Sequence, residues 1–544
     1  MGVVVATITS GGKTLDLGVD LLSIEVRKEL DRVPEARLAV IDGSVAAREF
    51  ALSNGEFFAP GAEIRVELHH DDDPAERVFA GLVVRHAVEA RADNSELRVE
   101  LRDVAVAMTR RRNSAVHRDR RDDDVIRELV EHAGLKVGGI DEMSVEHGEL
   151  IQYYASDWDF MLSRADVNGM VVIVDDGVLS VRAMAGDAET RARFEYGLDE
   201  IHEVELELDG GGQWSSVTGA AWDLGQQALT QPAEAEQLDI AAGNLAVKDL
   251  ADKVGGESLA LLSSAALAPA ELEPWASARL ARSRLALLRG RLVVPGRADI
   301  KPFDRVELGG VGERFNGKLL VSGVIQRFDH DGWRTELQIG LAPEWYARTP
   351  EIADVPAAGL LPPVTGLQIG VIDAFESDPL GERRVRVRLP ALATKEDAVW
   401  ARLARPDAGK DRGFAFWPEA GDEVIVGFVA GDPRQAVVLG ALYGSVNTPP
   451  AAGEGPSDGN AKRALVSRSG TTIAFDDDKP SLTIKTPKDN TIVVDDDAGS
   501  VTIRDQHGNS ITMDANGMKF SSASDLAFEA RGKVTIKGAS VDVQ

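Results

Sequence analysis

Thr491-Ile492-Val493-Val494-Asp495, Ser500-Val501-Thr502-Ile503-Arg504 and Ser510-Ile511-Thr512-Met513-Asp514 repeat one pattern: two apolar residues flank a spacer, and a polar turn follows. Outward from these runs the pattern recurs at Ile473/Phe475, Leu482/Ile484, Met518/Phe520, Leu526/Phe528, Val534/Ile536 and Val541/Val543, giving nine short strands in series. First residues are spaced 9, 10, 9 and 10 from Ile473 to Ile511, then 7, 8, 8 and 7 to Val541, so the repeat tightens toward the C-terminus. In a strand, alternate side chains point to opposite faces, which sets both apolar residues on one face and the spacer, often Thr, on the other. No amphipathic helix or second strand set follows to cover that face,. Each buried aliphatic stabilises by roughly 1.5–3 kcal/mol, so an uncovered face forfeits a large favourable term. The expected solution is burial against copies of the same chain, three winding into a triangular β-prism that also hides strand edges. A solenoid closing within one chain is the alternative. On the trimer reading Ile484, Val494, Ile503, Met513, Phe528, Ile536 and Val543 pack at the axis.

Two Pro/Gly/Ala-rich stretches, Pro350 to Pro363 and Val446 to Gly459, read as linkers,. Between them lie five strand-like runs, Leu367 to Ile372, Arg384 to Leu389, Val399 to Leu403, Glu423 to Val429 and Ala436 to Leu442, the pattern of a small OB-type barrel,. Val385, Val387 and Leu389 face in, while Arg384, Arg386 and Arg388 form a basic stripe expected to meet an acidic neighbouring subunit or domain. In the first block Pro60 to Val83 echoes Pro302 to Leu320, with Arg65-Val66-Glu67-Leu68 set against Arg305-Val306-Glu307-Leu308. A duplicated barrel explains the echo, and so does chance likeness between generic hairpins. Helices are predicted from Asp122 to Glu131, from a Ser156/Asp159 capping box, and from Pro274 to Leu288,.

The 544 residues suit three or four domains,. With 89 acidic and 60 basic side chains the net charge is −29, which repels phosphate backbones and makes nucleic acid an unsuitable partner,. The absence of cysteine excludes disulfides, thiolate nucleophiles and thiolate zinc sites,. No apolar run reaches spanning length, and Met1 to Ser10 reads as a strand, not a signal peptide,. His69-His70-Asp71-Asp72-Asp73, Asp476 to Asp478 and Asp495 to Asp497 read as turns in preference to metal sites, and His507 as an exposed turn residue,. Gly310 and Gly312 lack the third glycine of a dinucleotide loop,. Arg110 to Arg112 with Arg118, Arg120 and Arg121 form a solvated loop or an intersubunit salt-bridge patch, followed by Asp122 to Asp124 at a helix start,. No catalytic constellation and no cofactor site emerge.

Phe416-Trp417-Pro418-Glu419-Ala420-Gly421-Asp422-Glu423-Val424, then Gly431-Asp432-Pro433 and Leu439-Gly440-Ala441-Leu442-Tyr443, resembles the OB-domain signature of the VgrG and phage baseplate-spike family. Gln152-Tyr153-Tyr154-Ala155-Ser156-Asp157-Trp158-Asp159-Phe160 is similar to that family's late-control-D hub domain. The resemblance implies a mainly β chain with a helical minor part: hub barrel 1 over 1–110, a mixed α/β insertion over 111–200, hub barrel 2 with a helix over 201–350, a linker over 351–366, an OB-fold over 367–445, a linker over 446–465 and a β-prism needle over 466–544. It further implies a homotrimer whose six barrels mimic sixfold symmetry and seat a hexameric inner-tube protein. Baseplate proteins, a PAAR-type tip at the C-terminal end and effector cargo are the implied partners. Sheath contraction would drive the spike through a membrane, the particle being assembled in the bacterial cytoplasm and acting outside the cell or anchored to it. The short linker after Tyr443 leaves no room for a lysozyme domain, and the chain ending on its last strand leads to the expectation of no toxin extension. A glycan-binding or glycan-cleaving tail spike is the rival reading. Against it, the last block lacks Trp and Tyr, and Phe475, Phe520 and Phe528 fall on the inward register.

Overall fold

The computed structural model describes residues 4–15, 20–44, 48–70, 73–91, 95–184, 190–240, 243–254, 256–392, 397–453, 455 and 457–544. The chain is mainly β and forms two compact units, Met1–Asp354 and Val355–Gln544.

Besides the two-residue strand Lys13–Thr14, the first unit opens with six longer strands: β1 Val4–Ser10, β2 Leu21–Glu29, β3 Glu35–Ile41, β4 Glu63–His70, β5 Glu76–Ala90 and β6 Ser95–Arg102. They wrap one core in the order β1-β4-β5-β6-β3-β2. Strict alternation drives this: in β6 Leu97, Val99 and Leu101 are buried while Glu96, Arg98 and Glu100 lie on the other face,. An α/β insert follows, with β7 Arg112–Arg121, α1 Asp122–His132, β8 Lys136–Ile140, β9 Glu146–Ser156, α2 Asp157–Val167, β10 Met170–Asp175 and β11 Val178–Ala183. The Ser156 hydroxyl caps α2 by accepting the Asp159 N–H at 3.0 Å,.

The second lobe is built from β12 Thr190–Glu195, β13 Glu203–Leu208 and, after a further insert of β14 Trp214–Asp223, α3 Val247–Val254, β15 Gly256–Ser263 and α4 Pro269–Leu285, from β16 Leu288–Pro295, β17 Arg305–Gly309, β18 Gly317–Asp329 and β19 Gly332–Ile339. Its order, β12-β17-β18-β19-β16-β13, repeats that of the first lobe strand for strand around a separate core. The β1/β4 edge is antiparallel and the β12/β17 edge parallel; every other pairing within the lobes is antiparallel.

The hairpin echo in the sequence is therefore a duplication, but its true register differs by two residues. Gly61 N–H bonds Val83 O and Val83 N–H bonds Ala62 O, just as Phe303 N–H bonds Val321 O and Val321 N–H bonds Asp304 O. Thus Ile64 matches Val306, not Val66. Gly61 and Phe303 both hold positive φ, 91° and 80°. The two lobes join where residues 323–328 of β18 pair with β2, making one continuous sheet.

Several expectations change. Helix α4 begins at Pro269, with the Glu271 carboxylate accepting the Ala268 N–H at 2.9 Å, so Pro274 lies inside the helix and Leu288 opens a strand. Ala105 and Met108 already pack in the insert's core, and Thr190–Glu195 belongs to the second lobe, so the insert is not bounded at 111 and 200. Arg112–Arg121 is a strand; Arg118, Arg120 and Arg121 pair within the chain with Glu149, Glu128 and Glu142.

In the second unit β20 Gln368–Ile372, β21 Val385–Arg388, β22 Val399–Leu403, β23 Glu423–Phe428 and β24 Ala436–Ala441 close a five-stranded barrel, around Val387, Ala401, Val424 and Val426. The basic stripe has acidic partners within the chain. The loop after β20 folds over it, pairing Arg384 with Asp378 at 2.6 Å, Arg386 with Glu376 at 2.5 Å and Arg388 with Asp373 at 3.5 Å. A seven-stranded antiparallel meander follows: β25 Lys462–Val466, β26 Thr472–Asp476, β27 Ser481–Lys485, β28 Thr491–Asp495, β29 Ser500–Arg504, β30 Ser510–Asp514 and β31 Gly517–Ser521. Its first strand starts inside the stretch expected to be a linker, because Lys462-Arg463-Ala464-Leu465-Val466 alternates well enough to pair with β26.

Candidate functional site: an unburied apolar ladder

The meander is held by polar turns, several closed by an acidic side chain. Asp476 accepts the N–H groups of Asp478 and Lys479 at 3.1 Å, and Asp495 accepts that of Ala498 at 2.7 Å. These are Asx-type closures, so Asp476 and Asp495 serve the turns,. Asp505 accepts the Asn509 side-chain amide at 2.7 Å, and this bond holds its carboxyl below the ordinary value,. His507 is exposed in the same turn.

Strand register then stacks the apolar residues in two columns on one face. Ile473 faces Ile484, Ile484 faces Ile492, Ile492 faces Ile503, Ile503 faces Ile511 and Ile511 faces Phe520. Beside them run Phe475, Leu482, Val494, Val501, Met513 and Met518, each opposite the next. The other face carries Ala474, Thr483, Val493, Thr502, Thr512 and Lys519. Such a ladder would be a core in a folded sheet, yet Val494 is 38% and Ile503 41% exposed, and among the described residues no hydrophobic side chain beyond Ala461 is buried,.

Of the residues singled out from the sequence, Ile484 and Ile503 share the first column, and Val494 and Met513 the second. Phe528, Ile536 and Val543 lie past β31, outside any strand of the chain, and are exposed. Phe528 meets Phe520 edge to face at 6.4 Å. Leu465 joins the ladder opposite Ile473, a place that only its alternating neighbours could have signalled. The ladder is tied to the barrel by Arg468, which reaches Glu419 at 3.1 Å. Phe414, Phe416, Trp417 and Tyr443 leave an exposed aromatic belt on the barrel, with Arg405 stacked over Trp417 at 5.5 Å.

Elsewhere several of the candidate chemical groups have structural partners. His70 stacks on Trp333 at 5.1 Å and bonds the Gly296 carbonyl, joining the lobes, while Asp71 and Asp72 lie outside the described residues. Gly310 and Gly312 turn the loop between β17 and β18 with positive φ. Asp122 is fully buried and more than a helix-start charge: it receives Arg164 at 2.6 Å, Asn168 at 2.9 Å and His147 at 3.0 Å. Burial pushes its carboxyl up, but these donors, Arg164 foremost, hold it below the ordinary value,. The sequence reading also passed over Asp329, His330 and Asp331, whose ligand-type atoms gather at the β18–β19 turn; Asp329 is already bound to Arg334 at 3.0 Å.

A duplicated sheet, a closed barrel and a sheet whose apolar face is uncovered among the described residues make up the modular architecture. Residues 1–330, more than half of the chain, match the family model described as the Alg8 N-terminal domain. Residues 368–443 match the type VI secretion system/phage-baseplate injector OB domain, and residues 481–544 the phage baseplate V C-terminal trimerisation domain. The chain belongs to the VgrG and phage baseplate-spike family and carries an Alg8 N-terminal domain. Among curated relatives, the actin cross-linking toxin VgrG1 of Vibrio cholerae is 32% identical over 96 residues, 16% of this chain and 9% of that protein. The type VI secretion system spike protein VgrG5 of Pseudomonas aeruginosa is 35% identical over 96 residues, 16% of this chain and 12% of that protein. The matched stretches thus span only about a tenth of those relatives. Among solved structures, the 43 kDa tail protein of prophage MuSo2 from Shewanella oneidensis has a TM-score of 0.48 at 14% identity, covering 63% of this chain and 99% of that one.

Proposed function

We propose that the chain is the trimeric hub and spike of a contractile injection particle, without chemistry of its own. The observation that carries this reading is the two-column ladder: twelve apolar residues from Ile473 to Phe520, then three further apolar triplets with no strand partner in the chain. Burial at roughly 1.5–3 kcal/mol per residue gives an upper bound of tens of kcal/mol, available only when other copies cover the face. The match to a trimerisation domain supports two such copies. On this reading Ile484, Val494, Ile503, Met513, Phe528, Ile536 and Val543 pack about the threefold axis. The duplicated lobes of three chains present six similar surfaces to a hexameric inner-tube protein, the barrel forms the neck within the baseplate, and the C-terminal end seats a PAAR-type tip, with effector cargo carried alongside. Native mass measurement of the full chain tests the core of it. Three chains are expected, and a stable monomer at working concentration would overturn the proposal.

A further inference from the structure

The insert of the second lobe carries a small sheet that is finished on one side only. Its central strand β14 pairs in parallel with β15, from Ser216 opposite Ser258 to Ala221 opposite Ser263 without a register shift. On its other side β14 meets the two-residue strands Ala228–Leu229 and Ala233–Glu234. Among the described residues no strand pairs with the outer edge of β15. Helix α4 covers one face of the sheet: Val217 packs with Ala276 and Leu280, Leu259 and Leu261 join them in part, and a Cβ on Gly219 would come within 2.6 Å of the Leu272 carbonyl oxygen.

Burial falls off toward that edge. Val217 on the central strand is 0% exposed, whereas its neighbour Leu259 and then Leu261, on the same face one strand out, are only half-buried. Leu262, on the opposite face, is 62% exposed. Chains that leave an edge strand open ordinarily blunt it by brevity, lysine, proline or a bulge. Brevity serves at Ala228–Leu229 and Ala233–Glu234, but β15 has none of these devices: it is eight residues long, its register is unbroken, it lacks lysine and proline, and Glu257 is its one charge. The run Leu259-Ala260-Leu261-Leu262 is therefore a template for one more strand,. The charge around it selects the partner. Residues 209–273 hold ten Asp or Glu against two Lys, and Asp252 of α3, Glu257 of β15 and Glu273 of α4 are all exposed. A second copy of this edge would set acidic surface against acidic surface, while a basic strand is attracted to it.

We infer that the open edge of β15 takes up an extended, basic segment of another polypeptide by strand addition, with aliphatic side chains alternating with lysine or arginine. The aliphatic residues of that segment complete the cover over Leu259 and Leu261 on the α4 face, and the basic ones answer the acidic surface of the insert. Main-chain hydrogen bonds supply the affinity, and the alternation supplies the selectivity. The edge lies in the insert, apart from the C-terminal ladder, and its use does not depend on the trimer reading.

Hydrogen exchange on the full chain tests this, with a synthetic peptide of about eight residues alternating lysine and valine as the probe. Backbone N–H groups within residues 257–262 are expected to exchange about tenfold more slowly in its presence. A peptide of the same length and charge, with proline in place of every other valine, cannot add a full strand and should leave those residues unprotected. Glu257→Lys/Ala260→Lys changes two exposed positions and is expected to abolish the protection at an unchanged melting temperature,. Absence of protection in the natural chain, equal protection by the proline peptide, or full protection in the double variant overturns the proposal. Self-association in native mass spectra that Glu257→Lys/Ala260→Lys removes would assign the edge to a second copy and overturn it as well.

Discussion

Asp31 occupies the point where the parts of the hub meet. It holds φ at 60° in the β2–β3 turn, exchanges hydrogen bonds with Val172 of the insert through both backbone and side chain, and faces Arg282 of α4 at 3.8 Å. Burial raises its carboxyl from 3.8 to about 6, against the opposing pull of Arg282 and the Val172 N–H; Asp166 nearby adds to the rise,. A raised folded-state pKa means the native state binds the proton more tightly. This contribution to stability is whole below pH 3.8 and is lost as pH climbs through about 6, a difference of up to ~3 kcal/mol,. Asp31→Asn keeps the acceptor and tolerates the left-handed backbone. It is expected to raise the melting temperature of the hub at pH 7.5, with the advantage falling through pH 6 and vanishing only below pH 3.8; a constant offset across that range would show that Asp31 does not titrate there,. Asp122 lies at the opposite extreme, a charge fully satisfied in the interior. Asp122→Ala strands Arg164 and His147, and the expected loss is about 3–5 kcal/mol in chemical denaturation, whereas a surface carboxylate such as Asp124 should cost under about 1,.

At the scale of elements, sequence reading succeeded where side-chain alternation meets a one-sided environment. Ile492/Val494 and Val501/Ile503 declare a face because their spacers, Val493 and Thr502, oppose one another on the other side. The same logic found the barrel strands, since Val385 and Val387 are buried while their arginine neighbours are not. It failed where the deciding partner lies off the alternating pattern. Nothing near Arg384 reveals that Asp378 will turn back onto it, and the helix at Pro269 is started by Glu271, three residues beyond its cap, whereas Pro274 is the more conspicuous signal. The hub duplication was visible only as a hairpin echo, read two residues out of register, because its evidence is pairing order rather than residue identity. The register of the ladder yields a sharp prediction. Ile503→Asp and Met513→Asp place a carboxylate on the apolar face at a cost of several kcal/mol per chain and should abolish the trimer in native mass spectra, while Thr502→Asp on the other face should leave it intact,. Equal effects of all three would refute the assignment of faces.

For the whole molecule, magnitudes indicate which part drives assembly. The ladder offers twelve apolar residues per chain at roughly 1.5–3 kcal/mol each as an upper bound,. On the trimer reading, association would belong to the C-terminal sheet. Because the chain divides between Asp354 and Val355 into two compact units, the two contributions are separable. The fragment Val355–Gln544 is expected to remain trimeric on dilution to the order of 10 nM, while Met1–Asp354 at the same dilution is folded but monomeric, with the separation read by mass photometry or native mass spectrometry. A trimeric Met1–Asp354 beside a monomeric Val355–Gln544 would reverse the ranking and locate the driving force in the first unit.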